Sequence, residues 1–206
     1  MARCVAFDVD GVLIDTDAVH FDALNRALTD AVGPYAVITP HEHANTFKGL
    51  PTRLKLAALL EMGRLTPSQV SHVGELKRLF TRYGLRSVPY DPAKADLMRT
   101  LRKRGFRLGA CSNAIRESVL TMLEVARVGW AFEFILSNED AAPKPSPDMY
   151  LKAAARFGIA PDQLIVVEDG APGLAAAAAA RARVVRVEGP AEVTLALLPR
   201  IEEMAG

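Results

Sequence analysis

Hydrophobic and polar positions along the chain fall into two regimes. Five short, nearly uninterrupted apolar runs at 4–9, 106–111, 134–137, 164–168 and 183–187 read as strands buried on both faces. A strand with one face in water would alternate instead. Between the last four runs, apolar residues recur at helical spacing over roughly 114–126, 147–157 and 171–180. Pro147 and Pro161 stand where helices would begin, and Gly158 where one would stop. This β–α–β–α–β rhythm predicts an α/β fold, a doubly wound parallel sheet. The alanine-rich tract at 174–182 suits a helix lying close against that sheet.

The rhythm breaks between positions 16 and 90. Helical patterns cover 18–32 and 52–62, with no convincing strand. Thr39-Pro-His-Glu42 and Thr66-Pro-Ser-Gln69 are capping-box signatures that start further helices. The expected organisation is an α/β core at 1–15 and 91–206, with a helical domain inserted at 16–90. Lys and Arg outnumber Asp and Glu in the insert, which suits an anionic ligand and almost equally a solvated surface.

Candidate chemistry gathers where the predicted strands end. Phe7-Asp8-Val9-Asp10-Gly11 closes the first strand. Residues two apart point to one side of an extended chain, so Asp8 and Asp10 converge. Carboxylates that close resist ionising together unless a cation or a proton intervenes. Gly11 lets the backbone turn sharply. Ser112 and Asn113 follow the second strand and offer a hydroxyl and N–H groups at a helix start. The pair either holds a phosphate or simply caps the helix. Lys144 lies in Ala142-Pro-Lys-Pro-Ser-Pro147, where prolines limit the directions open to its ammonium. Glu168 and Asp169 end the fourth strand, a costly place for two acids unless they are paired, hydrogen-bonded or metal-bound. Ligands of open parallel sheets bind beyond the carboxyl ends of the strands. All four groups fall there, and together they suit a divalent cation and a phosphate.

Other polar and aromatic positions read more plainly. His41 and His43, two apart in a first helical turn, would not share a face and read as solvated. Trp130 and Phe132 read as core residues, and Asp15 and Asp17 as shaping the entry to the insert. Cys4 and Cys111 sit in apolar runs and read as buried free thiols.

Taken in order, these residues resemble the haloacid dehalogenase (HAD) superfamily, in the branch that holds phosphoglycolate phosphatase and β-phosphoglucomutase. Asp8-Val-Asp10-Gly-Val looks like its first motif, Ser112 with Asn113 its second, Lys144 its third and Glu168-Asp169 its fourth. The helical insert is similar to that branch's cap, and Lys48-Gly49-Leu50-Pro51-Thr52-Arg53 to its substrate-selecting loop. His20 falls where many relatives carry a histidine. Val12 replaces a frequent Thr, and Gly170 a frequent Ser. The resemblance implies a Rossmann-like core and Mg²⁺-dependent hydrolysis of a small phosphate monoester, such as a sugar phosphate. In that scheme Asp8 is the nucleophile, Asp10 the acid and base, and Lys144 the cation that offsets charge. Ser112 and Asn113 bind phosphate, while His20, Gly49, Thr52 and Arg53 contact the rest of the substrate. Mg²⁺ is held by Asp8, Asp10 and Asp169, with Glu168 beside or among the ligands.

A phosphomutase would use the same residues, although Arg53 stands one position later, relative to Gly49, than that enzyme's loop has it. A dehalogenase would need neither Asp10 nor the Glu168-Asp169 pair. A non-catalytic phosphate-binding protein would be expected to have lost one of the four motif groups. The net charge of +1 argues for neither nucleic acid nor an acidic membrane as partner. An acid at position 8 comes too early for a signal-peptide apolar stretch. No run reaches the roughly 18 apolar residues of a membrane span, so a cytoplasmic location is expected. The oligomeric state is not legible, and a monomer is the default.

Overall fold

A computed structural model describes residues 3–206. The chain divides into two compact units, Met1–Asp15 with Pro89–Gly206, and Thr16–Val88. The first contains five parallel strands: β1 (Cys4–Phe7), β2 (Arg107–Cys111), β3 (Phe134–Leu136), β4 (Leu164–Glu168) and β5 (Arg183–Arg186). The helices, in chain order, are α1 (Asp17–Ala31), one-turn α2 (Pro40–Glu42), α3 (Thr52–Glu61), α4 (Pro67–Leu85) and α5 (Pro92–Lys103). They continue with α6 (Arg116–Val125), α7 (Asp148–Phe157), α8 (Ala171–Ala179) and α9 (Leu198–Ala205).

The sheet order is β3-β2-β1-β4-β5. The chain builds outward from β1 to β3, then crosses to the other side of β1 for β4 and β5. Strand order therefore reverses at β1, which is where sheets of this kind hold ligands. Every residue of β1 and β4 is buried. Burying a Val, Ile or Phe side chain contributes roughly 1.5–3 kcal/mol, so the apolar runs could not face water. Three strands stop short of their predicted ends. After β1 the backbone folds back at once, with Leu13 N and Ile14 N donating to Val9 O at 2.9 and 3.2 Å. Val9 is thus buried in a turn instead of extending the ladder.

Helices α7 and α8 cover one core cluster with Met149, Tyr150, Phe157, Ala176 and Ala177. Gly109 faces Phe134 across the β2–β3 ladder, and a Cβ there would lie 2.5 Å from the ring. That ring packs on Phe157 at 4.7 Å. Gly158 ends α7 in the left-handed conformation, with φ of 72°. Pro161 opens a short 3₁₀ turn rather than a helix, because β4 begins three residues later. Trp130 is 51 % exposed, contrary to its reading as core. Its indole N–H donates to Arg127 O at 2.9 Å and Arg99 lies over its ring, so local partners serve it at the surface. Cys4 and Cys111 are buried free thiols.

The Thr16–Val88 unit has its own core, which includes Leu24, Leu28, Ile38, Phe47, Leu59 and Val73. Helices α1 and α4 pack together, and Gly84 admits Val19, whose Cγ1 would lie 2.7 Å from a Cβ at that position. Asn25 pins the chain after α1 by accepting from Ile38 N at 2.8 Å and donating to Ile38 O at 3.0 Å. Glu42 closes its capping box on Thr39 N at 2.7 Å and also pairs with Arg64. His43 corrects its sequence reading. Past α2 the backbone widens into a π-helical turn at His43–Phe47. The change of period carries His43 inside, where its Nε2 meets Asp17 Oδ1 at 2.8 Å and Phe21 packs against its ring. Burial pushes the Asp17 carboxyl up, but the His43 bond and the Lys48 charge outweigh it and hold it below the usual range. Among the described residues, no helix is long and apolar enough to cross a membrane.

Candidate active site

Asp8 is the first residue beyond β1, and its N–H still donates to Val167 O at 3.0 Å. The next six residues form a tight loop closed by Gly11 N on Ile14 O at 2.8 Å. Gly11 has φ of +87°, and a Cβ there would run into the Asp169 carboxylate. Glycine is therefore required twice over, for its backbone conformation and for the close approach of the acid.

Lys144 reaches into this loop from the segment before α7. Its ammonium donates to Asp8 Oδ1 at 2.5 Å, Glu168 Oε1 at 2.5 Å and Cys111 O at 3.2 Å. An ammonium has three protons, and each has an acceptor. The backbone of Lys144 is clipped by Asn113, whose Oδ1 accepts from Lys144 N at 2.8 Å while its Nδ2 donates to Lys144 O at 3.1 Å. The side chain of Asn113 thus holds the lysine in place. Ser112 is buried, and its Oγ accepts from Ala114 N at 3.1 Å, so it caps the turn ahead of α6. Asp140 secures the approach to Lys144 by accepting from Ser137 N at 2.8 Å and Ser137 Oγ at 2.7 Å.

Carboxylate oxygens of Asp8, Glu168 and Asp169 lie within 4.8 Å of one another. Burial pushes the Asp8 carboxyl well up, and Glu168 and Asp169 add to this, while the Lys144 ammonium opposes it. Burial, then the charges of Glu168 and Asp10, push Asp169 up to about 6. Burial disfavours the Lys144 ammonium, yet the two carboxylates it touches hold its pKa above the ordinary value, so it stays charged. Three clustered acids share one ammonium, and the donors are all hard oxygens. That set fits a divalent cation.

Two groups of the site were missed in the sequence. Tyr150 is fully buried and donates to Glu168 Oε1 at 2.6 Å, with Lys144 Nζ 5.0 Å from its ring centre. Asp140 was missed as well. The signal for Tyr150 was available: a tyrosine on the buried face of α7 needs a partner for its hydroxyl. In the helical unit, His20 is half-buried on α1, Gly49 takes φ of +74°, Thr52 opens α3, and Arg53 is exposed beside it.

An open parallel sheet with an Asp-x-Asp loop, a buried lysine and an acid pair at one end, interrupted by a helical unit, defines an α/β enzyme architecture. The haloacid dehalogenase-like hydrolase family model matches residues 2–181, and the chain belongs to that family. It is 28 % identical over 200 residues to the protein CbbY of Rhodobacter capsulatus, covering 93 % of this chain and 87 % of that one. It is 28 % identical over 202 residues to the phosphoglycolate phosphatase of Shigella dysenteriae, covering 86 % and 78 %. The fold matches that of a β-phosphoglucomutase from Clostridium difficile with a TM-score of 0.81, 18 % identity and 98 % of each chain covered.

Proposed function

We propose that the protein is a Mg²⁺-dependent phosphatase acting on a small phosphate monoester, with Asp8 as nucleophile. The observation that carries this reading is the Asp8 carboxylate held by Lys144 at the switch point of the sheet, with Glu168 and Asp169 alongside. Asp8 attacks phosphorus as the ester P–O bond breaks, and the phosphoryl group passes to the Asp8 oxygen. Asp10 gives its proton to the departing oxygen, then takes one from the water that hydrolyses the phosphoaspartate. Lys144 offsets charge on the transferring group, and Ser112 and Asn113 are our candidates for binding its oxygens. Asp8, the main-chain carbonyl of Asp10 and Asp169 are the expected metal ligands. The cation supplies the positive charge that lets an anionic nucleophile meet an anionic phosphate.

The name of the Shigella dysenteriae relative supports a short phosphorylated metabolite as substrate. His20, Gly49, Thr52 and Arg53 are our candidates for selecting its leaving group. The buried free thiols suit a reducing compartment, and we take the enzyme to be cytoplasmic. The test is phosphate release from a panel of sugar phosphates, phosphoglycolate, nucleotides and a chromogenic ester, with Mg²⁺ and with EDTA. Release should depend on the metal and fall by about 10³-fold or more in Asp8→Asn. Release that needs a bisphosphate activator would reassign the enzyme as a mutase, and release untouched by Asp8→Asn would remove the nucleophile.

A further inference from the structure

Both carboxylate oxygens of Glu168 are filled by the protein. Oε1 accepts from Lys144 Nζ at 2.5 Å and from the Tyr150 hydroxyl at 2.6 Å. Oε2 accepts from the main-chain N–H groups of Asp169 at 3.1 Å and Gly170 at 3.3 Å. A carboxylate offers about four lone-pair directions, and four donors occupy them. The group is 2 % exposed. The carboxylate packs close against α8, where only a glycine at position 173 admits it, since a Cβ there would collide with it. Turning an oxygen of Glu168 toward a cation would strip a donor from a buried acid, a change that costs more than an ordinary hydrogen bond. Asp169, by contrast, lies against Gly11 of the Asp8–Asp10 loop, and charge repulsion there makes a cation welcome.

We infer that Tyr150 is a positioning residue that locks Glu168 onto Lys144, so that Glu168 aims the lysine at Asp8 and does not ligate the metal. The hydroxyl fixes Oε1, Oε1 and the tyrosine ring fix the ammonium, and the ammonium fixes Asp8 Oδ1. Asp8 and Asp169 are then the carboxylate ligands. The inference rests on the phosphatase reading for its kinetic half and on geometry alone for its metal half.

Tyr150→Phe tests it, because the ring stays and only the hydroxyl goes. Two measurements are needed on the intact chain: steady-state hydrolysis of the best ester, and Mg²⁺ binding by calorimetry without substrate. The expected result is kcat lower by about tenfold, with KM and the Mg²⁺ dissociation constant each within about threefold of the unsubstituted protein. Asp169→Asn, run beside it, should weaken Mg²⁺ binding by at least about tenfold. A Tyr150→Phe enzyme with unchanged kcat overturns the positioning role. Loosening of Mg²⁺ in Tyr150→Phe as large as in Asp169→Asn overturns the assignment of Glu168. If the unsubstituted protein released phosphate from no ester, the phosphatase reading would fall, and the calorimetric comparison would decide the inference.

Discussion

Polar groups are linked in different ways in the two units. In the α/β unit, Asp8, Lys144, Glu168 and Tyr150 share atoms: Lys144 Nζ serves two acids, and Glu168 Oε1 serves both Lys144 and Tyr150. In the helical unit, Asn25 with Ile38, Glu42 with Thr39 and Arg64, and Asp17 with His43 and Lys48 form small groups that share no residue with one another. A shared network responds as a whole, so the effects of changing its members are not additive. Separate links fail one at a time. The first arrangement suits a site whose groups must be aimed together, and the second suits a scaffold.

The largest expected effect that would break this contrast comes from Lys144→Ala. It leaves Asp8 and Glu168 buried without their counter-charge, and the metal-free protein should lose about 3–5 kcal/mol by denaturant unfolding. A loss under about 1 kcal/mol would mean that the ammonium is not what makes the acids tolerable. The next effect is a pH dependence. The Asp169 pKa of about 6 lies above its ordinary 3.8, so the folded metal-free protein holds this proton more tightly than the unfolded chain. Its contribution to stability therefore declines as pH rises from about 4 to 6, and added Mg²⁺ should flatten that decline. Mg²⁺ affinity, followed by calorimetry, should fall as pH drops below 6, with the Asp169 proton contributing up to about tenfold per pH unit. Affinity constant from pH 5 to 8 would exclude Asp169 as a ligand.

The smallest effect belongs to the helical unit. Glu42→Ala removes one capping box and should cost about 1 kcal/mol. Combined with Asn25→Ala, the two losses should sum to within about 0.5 kcal/mol, and a larger discrepancy would show that the links are coupled after all. Hydrogen bonds from Arg64 and Thr39 hold the Glu42 carboxyl down at about 2, against an ordinary 4.5. Its contribution is thus complete above about pH 4.5 and disappears as pH falls through about 2.

Much of the core was legible because a parallel sheet writes itself as continuous apolar runs, and all five became strands. Asp8, Lys144, Glu168 and Asp169 were legible because each stands at or just past the end of a strand or between prolines. Helices α5 and α9 were not. Their short amphipathic patterns lie outside the strand–helix rhythm that guided the reading. His43 was hidden by the π-helical turn, since a face inferred from a period of 3.6 is wrong where the period changes. Tyr150 was legible as a buried tyrosine in need of a partner, but spacing within one helix cannot show that the partner is Glu168, eighteen positions away.

The central place of β1 also governs when this site can exist. Cys4 pairs with Arg107 on one side and with Leu164 on the other, so the first strand in the chain completes its ladder only with residues some 160 positions later. Non-local pairing of this kind slows folding, because the chain must close long loops before any contact rewards it. During synthesis Asp8 emerges early, but Lys144 and Glu168 follow more than a hundred residues behind. At about 5–20 residues per second, many seconds separate the nucleophile from its cation. No growing chain that lacks β4 can assemble the cluster, so activity requires synthesis at least through β4. Until then β1 can pair only with β2 and keeps one edge open, and it is the segment we expect chaperones to shield.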